Sequence, residues 1–171
     1  MSWMTRYQYH TNVNYLTCEA CLSWHGEIRR DPSRFPDTGD ACERVILPFS
    51  WRERKFYREK GRSMRAAAKA ERARRRLFEA GSDALPRNPD EALEAFRSAV
   101  GIDVYIPDIE RLVERHGPTL EDDPALRESL RALFAQAYSD KFGWRRYELL
   151  PERMRLAREQ AGIARINELL R

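Results

Sequence analysis

At 171 residues the chain has room for one ordinary domain, or for a small module joined to a helical domain. Its 42% hydrophobic residues support a core and its 34% charged residues favour long solvated helices, while no stretch approaches the ~20 apolar residues that cross a bilayer. The net charge is +4 but unevenly spread: from Trp51 to Arg76 twelve Lys or Arg face three Glu, which leaves the remainder acidic. Such a split suits a polyanion partner, DNA or RNA, and suits equally an exposed helix whose charge serves only solubility.

Residues 1–50 read as a small, irregular, β-containing unit. "SWMTRYQY" alternates as a strand does, "HTNVN" reads as a turn, and "RDPSRFPDTGD" is loop. "RVILPF", residues 44–49, is a short β-branched strand ended by Pro48. Fifty such residues bury little apolar area and need a staple. Residues 51–81 read as a basic connecting helix, whole or broken near Gly61, with Ser50 and Glu53 as capping box and Gly81 as stop. Residues 88–171 read as a helical domain of four amphipathic helices, bundle-like. The first starts at Asn88-Pro89, the second ends at Gly117, the third opens at Asp123-Pro124, and the fourth opens at Pro151. Trp144 and Tyr147 are placed as seals between the last two helices. The expected class is therefore mainly α, with a β-containing knuckle at the N-terminus.

The chemistry-bearing residues are concentrated in "YLTCEACLSWHGEI". Cys18 and Cys21 have C-x2-C spacing, His25 follows, and Cys42 comes sixteen residues later. Zinc favours four ligands drawn from thiolate and imidazole, and a C-x2-C turn presents two sulfurs to one ion with little strain. Cys18, Cys21 and Cys42 with His25 would complete a closed, structural site that supplies folding free energy to a core-poor segment. His10, Asp40 or Glu43 are alternative fourth ligands. A thioredoxin-like redox pair lacks its βαβ context, and buried free thiols are the plain alternative. An odd cysteine count argues against a closed disulfide framework. "MSWMTRYQYH" does not read as a signal peptide, so a reducing setting, cytoplasmic or virion, is expected.

The stretch from Trp3 to Pro48 resembles the C-terminal part of phage head-morphogenesis proteins of the Mu type, minor capsid proteins associated with the portal. "TCEACLSWHGEI" and "FPDTGDACERVILP" carry the likeness. Cys18 and Cys21 fall on the family's paired cysteines, Gly26 and Ile28 on its G-x-[VI], and Cys42 on the first cysteine of its terminal pair. Gly39-Asp40 replaces a His-Pro, and Arg44 replaces the last cysteine, so His25 becomes more necessary to any ion. The match covers under a third of the chain, and the motif lies before a helical body instead of after one. The resemblance implies a folded knuckle, a virion-assembly setting, and portal or capsid proteins as partners.

Arg58, Arg62, Arg65, Lys69, Arg72 and Arg76 recur at spacings of four and three, a cationic ridge along one helix face that Arg74 and Arg75 widen. Such a ridge can track phosphates without reading sequence, since no Asn or Gln lies among them. It can equally dock on an acidic protein surface, including that of a second copy in an oligomer. Trp51, Phe56 and Tyr57 precede the ridge and either stack on bases or anchor the helix to the cysteine module. The chain has no G-x-S-x-G, P-loop or H-E-x-x-H, and its three histidines are too scattered for an HNH nuclease. The expectation is a non-enzymatic head-assembly or virion-associated protein with a structural zinc and a phosphate-binding helix. The alternative is a zinc-dependent, non-sequence-specific nucleic-acid-binding accessory protein.

Overall fold

The structure, a computed structural model, describes residues 5–14, 17–36, 42–143 and 151–171. The chain forms two compact units, Met1–Arg72 and Ala73–Arg171. The expected class holds: a mainly α chain with a small N-terminal sheet and one long helix. The basic helix is not a separate connector, however. Its first part belongs to the first unit and its remainder to the second.

In the first unit, strand β1 (Arg6–Thr11) leads to helix α1 (Glu19–Trp24), strand β2 (Ile28–Arg29) and strand β3 (Arg44–Phe49). The sheet order is β2-β1-β3, all antiparallel, with Gln8 opposite Ile28 on one side and Tyr9 opposite Ile46 on the other. The alternation at 2–9 predicts an earlier strand; residues 1–4 lie outside the described residues. His10 and Thr11, read as a turn, are strand because the six-residue ladder with β3 continues through them. Pro48 does not end β3 but pairs opposite Tyr7, which an edge strand tolerates. The small core gathers Tyr9, Cys21, Phe35 and Cys42, with the Tyr9 and Phe35 rings 5.5 Å apart.

Helix α2 (Arg54–Ala84) follows a single 3-10 turn, Trp51–Glu53. The capping box forms as expected: Glu53 Oε2 accepts from the Ser50 amide and from its hydroxyl, both at 2.9 Å. Gly61 does not break the helix and Gly81 does not stop it. Gly61 instead gives its missing side chain to close packing. A Cβ there would lie 2.7 Å from the Gly26 carbonyl oxygen, and one on Gly26 would lie 2.6 Å from that of Gly61. Gly26 also has φ +82, which only glycine adopts without strain. The buried Gln8 amide donates to the Tyr57 carbonyl at 2.8 Å and to that of Gly26 at 3.3 Å. Gly61, Met64 and Ala68 are buried and form a closely packed face, not the loose stripe that their thin apolar content suggests.

The second unit holds the end of α2 with α3 (Pro89–Val100), α4 (Ile106–Asp122), α5 (Pro124–Lys141) and α6 (Glu152–Leu169). Asn88 and Asp123 cap as expected, accepting from the amides of Glu91 and Leu126. α4 is two helical runs: the backbone leaves helical geometry at His116 (φ −124, ψ 17), one residue before the expected end at Gly117, and a second run continues past Pro118, whose missing amide explains the kink. Phe96, Ile109, Leu130, Phe134 and Ile166 are fully buried in one apolar core. Gly81 leaves room for Phe96, whose ring atoms would lie 2.9 Å from an added Cβ. Trp144 and Tyr147 lie outside the described residues.

Candidate metal centre and basic groove

Cys18 is the N-cap of α1, its Sγ accepting the Cys21 amide at 3.4 Å. That turn holds two sulfurs side by side, and the loop before β3 brings up Cys42. The three Sγ atoms lie within 4.8 Å of one another, with Cys21 and Cys42 buried. Tetrahedral zinc with Zn–S bonds of ~2.3 Å separates its sulfurs by about 3.8 Å, so an ion needs only small side-chain movements to engage all three. The three close cysteines are a group that can hold a metal ion.

The electrostatics agree. The Cys18 amide lowers the Cys42 thiol, but the Cys18 side chain, burial and Cys21 together push it up. A cation among the three sulfurs offsets what holds the Cys42 thiol neutral. Tyr9 is fully buried and its hydroxyl lies 3.1 Å from Cys21 Sγ, so it donates to that sulfur once ionised.

His25 is not part of the cluster, which corrects the expected ligand set. It caps the end of α1, and its Nδ1 accepts the Thr11 amide at 3.1 Å. Burial, with His10 nearby, lowers its pKa to about 4, so it is neutral near pH 7. His10 is turned to Gln8 (3.0 Å) and Glu43 to Asn12. Asp40 lies outside the described residues. Among the described residues the donor set is thus three thiols.

The cationic ridge is also redistributed. The contact face of α2 runs through Gly61, Met64 and Ala68, one residue away from the ridge, so some ridge arginines curl back. Arg65 donates to the Gly26 carbonyl at 2.9 Å and lies 3.9 Å from Glu27. Arg72 donates to Ser23, and its Nε makes an ion pair with Glu19 (2.5 Å) without hydrogen-bond alignment. Arg74 cannot meet phosphates: it is 2% exposed, pairs with buried Asp108 at 2.5 Å, and lies against the Tyr105 ring. Arg75 is half-buried and has a partner of its own. Arg58, Arg62, Lys69 and Arg76 are exposed and form no ion pair among the described residues.

The charge concentrates elsewhere than the ridge predicts. A groove of about 870 Å³ lies between the start of α2 and Glu27-Ile28, bordered by Arg52, Arg54, Lys55, Arg58 and Arg62. A second hollow of about 340 Å³ shares Ile28, Arg54 and Arg58 with it and adds Arg6 and Arg30. Burial and the charges of Arg30 and Arg54 lower the Arg6 pKa, a sign of like charges held close together. None of these seven cations forms an ion pair among the described residues. Arg6 and Arg30 escape the ridge because they come from β1 and the end of β2, and the antiparallel sheet brings them beside α2, while Arg52 lies in the turn that leads into the helix.

No described helix is long and apolar enough to cross a membrane. A scan against family models gives no match, and searches of curated proteins and of solved structures give none either.

Proposed function

We propose that the chain is a non-catalytic nucleic-acid-binding protein whose N-terminal unit is tied by zinc and holds the phosphate backbone in its basic groove. Zinc suits a set of thiolates. The observation that carries the reading is the contiguous pair of hollows bordered by seven cations with no ion-pair partner among the described residues. Cations confined in a concavity where they outnumber the carboxylates, here Glu27 and Glu59, favour a polyanion and release its counterions on binding. Lys69 lies farther along the exposed side of α2 and can add a phosphate contact. Filter binding against salt is the test. Neutralising five or more phosphates predicts a loss of affinity of roughly a hundredfold or more between about 50 and 200 mM salt. A flat response would overturn the reading.

The likeness to head-morphogenesis proteins supports a second reading, in which the same module serves virion assembly beside a portal or capsid protein. What favours it is that Cys18, Cys21, Gly26 and Cys42, which carry the likeness, belong to one knuckle in which Gly26 has a required conformation. Portal and capsid genes next to this gene would support it; a neighbourhood without them would remove it.

A further inference from the structure

We infer that the basic groove takes single-stranded nucleic acid in preference to duplex, with Trp51 as the platform on which a base stacks. The inference rests on the phosphate-binding reading above and names the substrate class of that same site. Its first support is the placement of Trp51. The residue borders the groove among the cations, 56% exposed, with no ring partner among the described residues. Phe49 and Tyr57, by contrast, stack on each other at 4.2 Å, so the anchoring of this end of α2 is done by them. More than half of the indole is open to water at the mouth of the groove, where a base can cover it.

The second support is rigidity. Trp51 is the first residue of the 3-10 turn, and the Ser50–Glu53 capping box fixes the backbone on both sides of it. A platform held in advance loses little freedom when a base covers it. The third is geometry. In a duplex each base face is covered by its neighbour, so an exposed indole gains nothing from it, whereas the bases of a single strand are free to stack. Arg58 and Arg62 are four residues apart, about 6 Å along the helix, with Lys55 about a turn nearer Trp51. A strand laid along α2 therefore meets a stacking surface first and phosphate partners after it. Among the described residues no Asn or Gln borders either hollow, so the preference is for strandedness and not for sequence. Glu27 is occupied by Arg29 and Arg65, which leaves Glu59 as the carboxylate that opposes the strand.

The test measures binding of the full, zinc-loaded chain to labelled oligo-dT of about 20 nucleotides and to a mixed-sequence duplex of equal length at about 0.1 M salt. The expected result is at least about tenfold tighter binding of oligo-dT, with a further roughly 5- to 100-fold loss for Trp51→Ala that Trp51→Phe largely restores. The salt slope of Trp51→Ala stays that of the parent, whereas Arg58→Glu with Arg62→Glu weakens both ligands and flattens the slope. Glu59→Gln tightens oligo-dT. Equal affinity for the two ligands, or wild-type binding by a folded Trp51→Ala, overturns the stacking inference while leaving phosphate binding intact. Absence of salt-sensitive binding to either ligand removes both. Binding of polyglutamate in place of nucleic acid would also overturn the proposal and identify an acidic protein surface as the partner. Thermal melting and zinc content of each variant report whether it is folded.

Discussion

The two units solve the burial problem in different ways. The helical unit closes its own apolar core, with Phe96, Leu130, Phe134 and Ile166 fully buried and aromatic rings 5.6 Å apart at its centre. The cluster around Tyr9 and Phe35 in the N-terminal unit is small, and two of its four buried members are cysteines. The helical unit draws its stability from dispersion and dehydration. In the N-terminal cluster the thiols pack as small apolar groups and, with Cys18, can also hold an ion. A short segment can thereby be rigid enough to set cations at fixed positions.

The largest expected effect breaks the weaker side of that contrast. Chelation, or Cys21→Ser or Cys42→Ser, should remove about one zinc per chain and unfold the N-terminal unit, since structural zinc supplies up to roughly 10 kcal/mol or more. Elemental analysis gives the stoichiometry. Hydrogen exchange should lose protection in β1–β3 while α3–α6 keep theirs; equal loss in both would refute the division. The mirror experiment is Phe134→Ala, expected to cost the helical unit about 3–5 kcal/mol in chemical denaturation with zinc content unchanged.

Smaller effects sharpen the comparison. Gly61→Ala forces a methyl against the Gly26 carbonyl and the Gln8 amide and should cost about 1–3 kcal/mol in the first unit. Gly117→Ala meets nothing within 4 Å and should be neutral or stabilise by up to about 1 kcal/mol, as seen in thermal melts. His25 gives the N-terminal unit a pH response. Its pKa is lowered in the fold to about 4 from its ordinary 6.5. The unfolded chain therefore binds the extra proton first, and stability is full above pH 6.5 and falls as the pH drops towards 4. His25→Asn keeps an acceptor for the Thr11 amide and should flatten that slope. An unchanged slope in that variant would reassign the acid sensitivity.

The helices were legible because their signals are local. Asn88-Pro89 and Asp123-Pro124 write a cap and a first turn into adjacent residues, and the apolar spacing of α3 and α5 needs no partner to be recognised. Gly81 was misread as a stop and Gly61 left two readings open, because a glycine looks like punctuation in isolation, yet both serve ring and backbone approaches from residues distant in the chain. Gly117, by contrast, follows a real interruption at His116. At the metal centre the cysteines were identifiable from spacing, whereas His25 was not separable from them. Its role depends on which way the end of α1 turns the ring. The ridge shows the same limit: periodicity places arginines on a face, but only the fold decides that Arg65, Arg72 and Arg74 turn inward and that Arg6 and Arg30 join from the sheet.

Pro48 has a consequence for behaviour in concentrated solution. Exposed strand edges recruit further chains by backbone pairing, and Val45, 54% exposed on β3, adds a sticky side chain to such an edge. Pro48 leaves that six-residue rim one amide short, and the opposite rim, β2, is two residues long. Neither margin offers an unbroken row of donors and acceptors for templating. Both margins thus work against strand addition, and replacing this one imino acid would give β3 an uninterrupted row of amides.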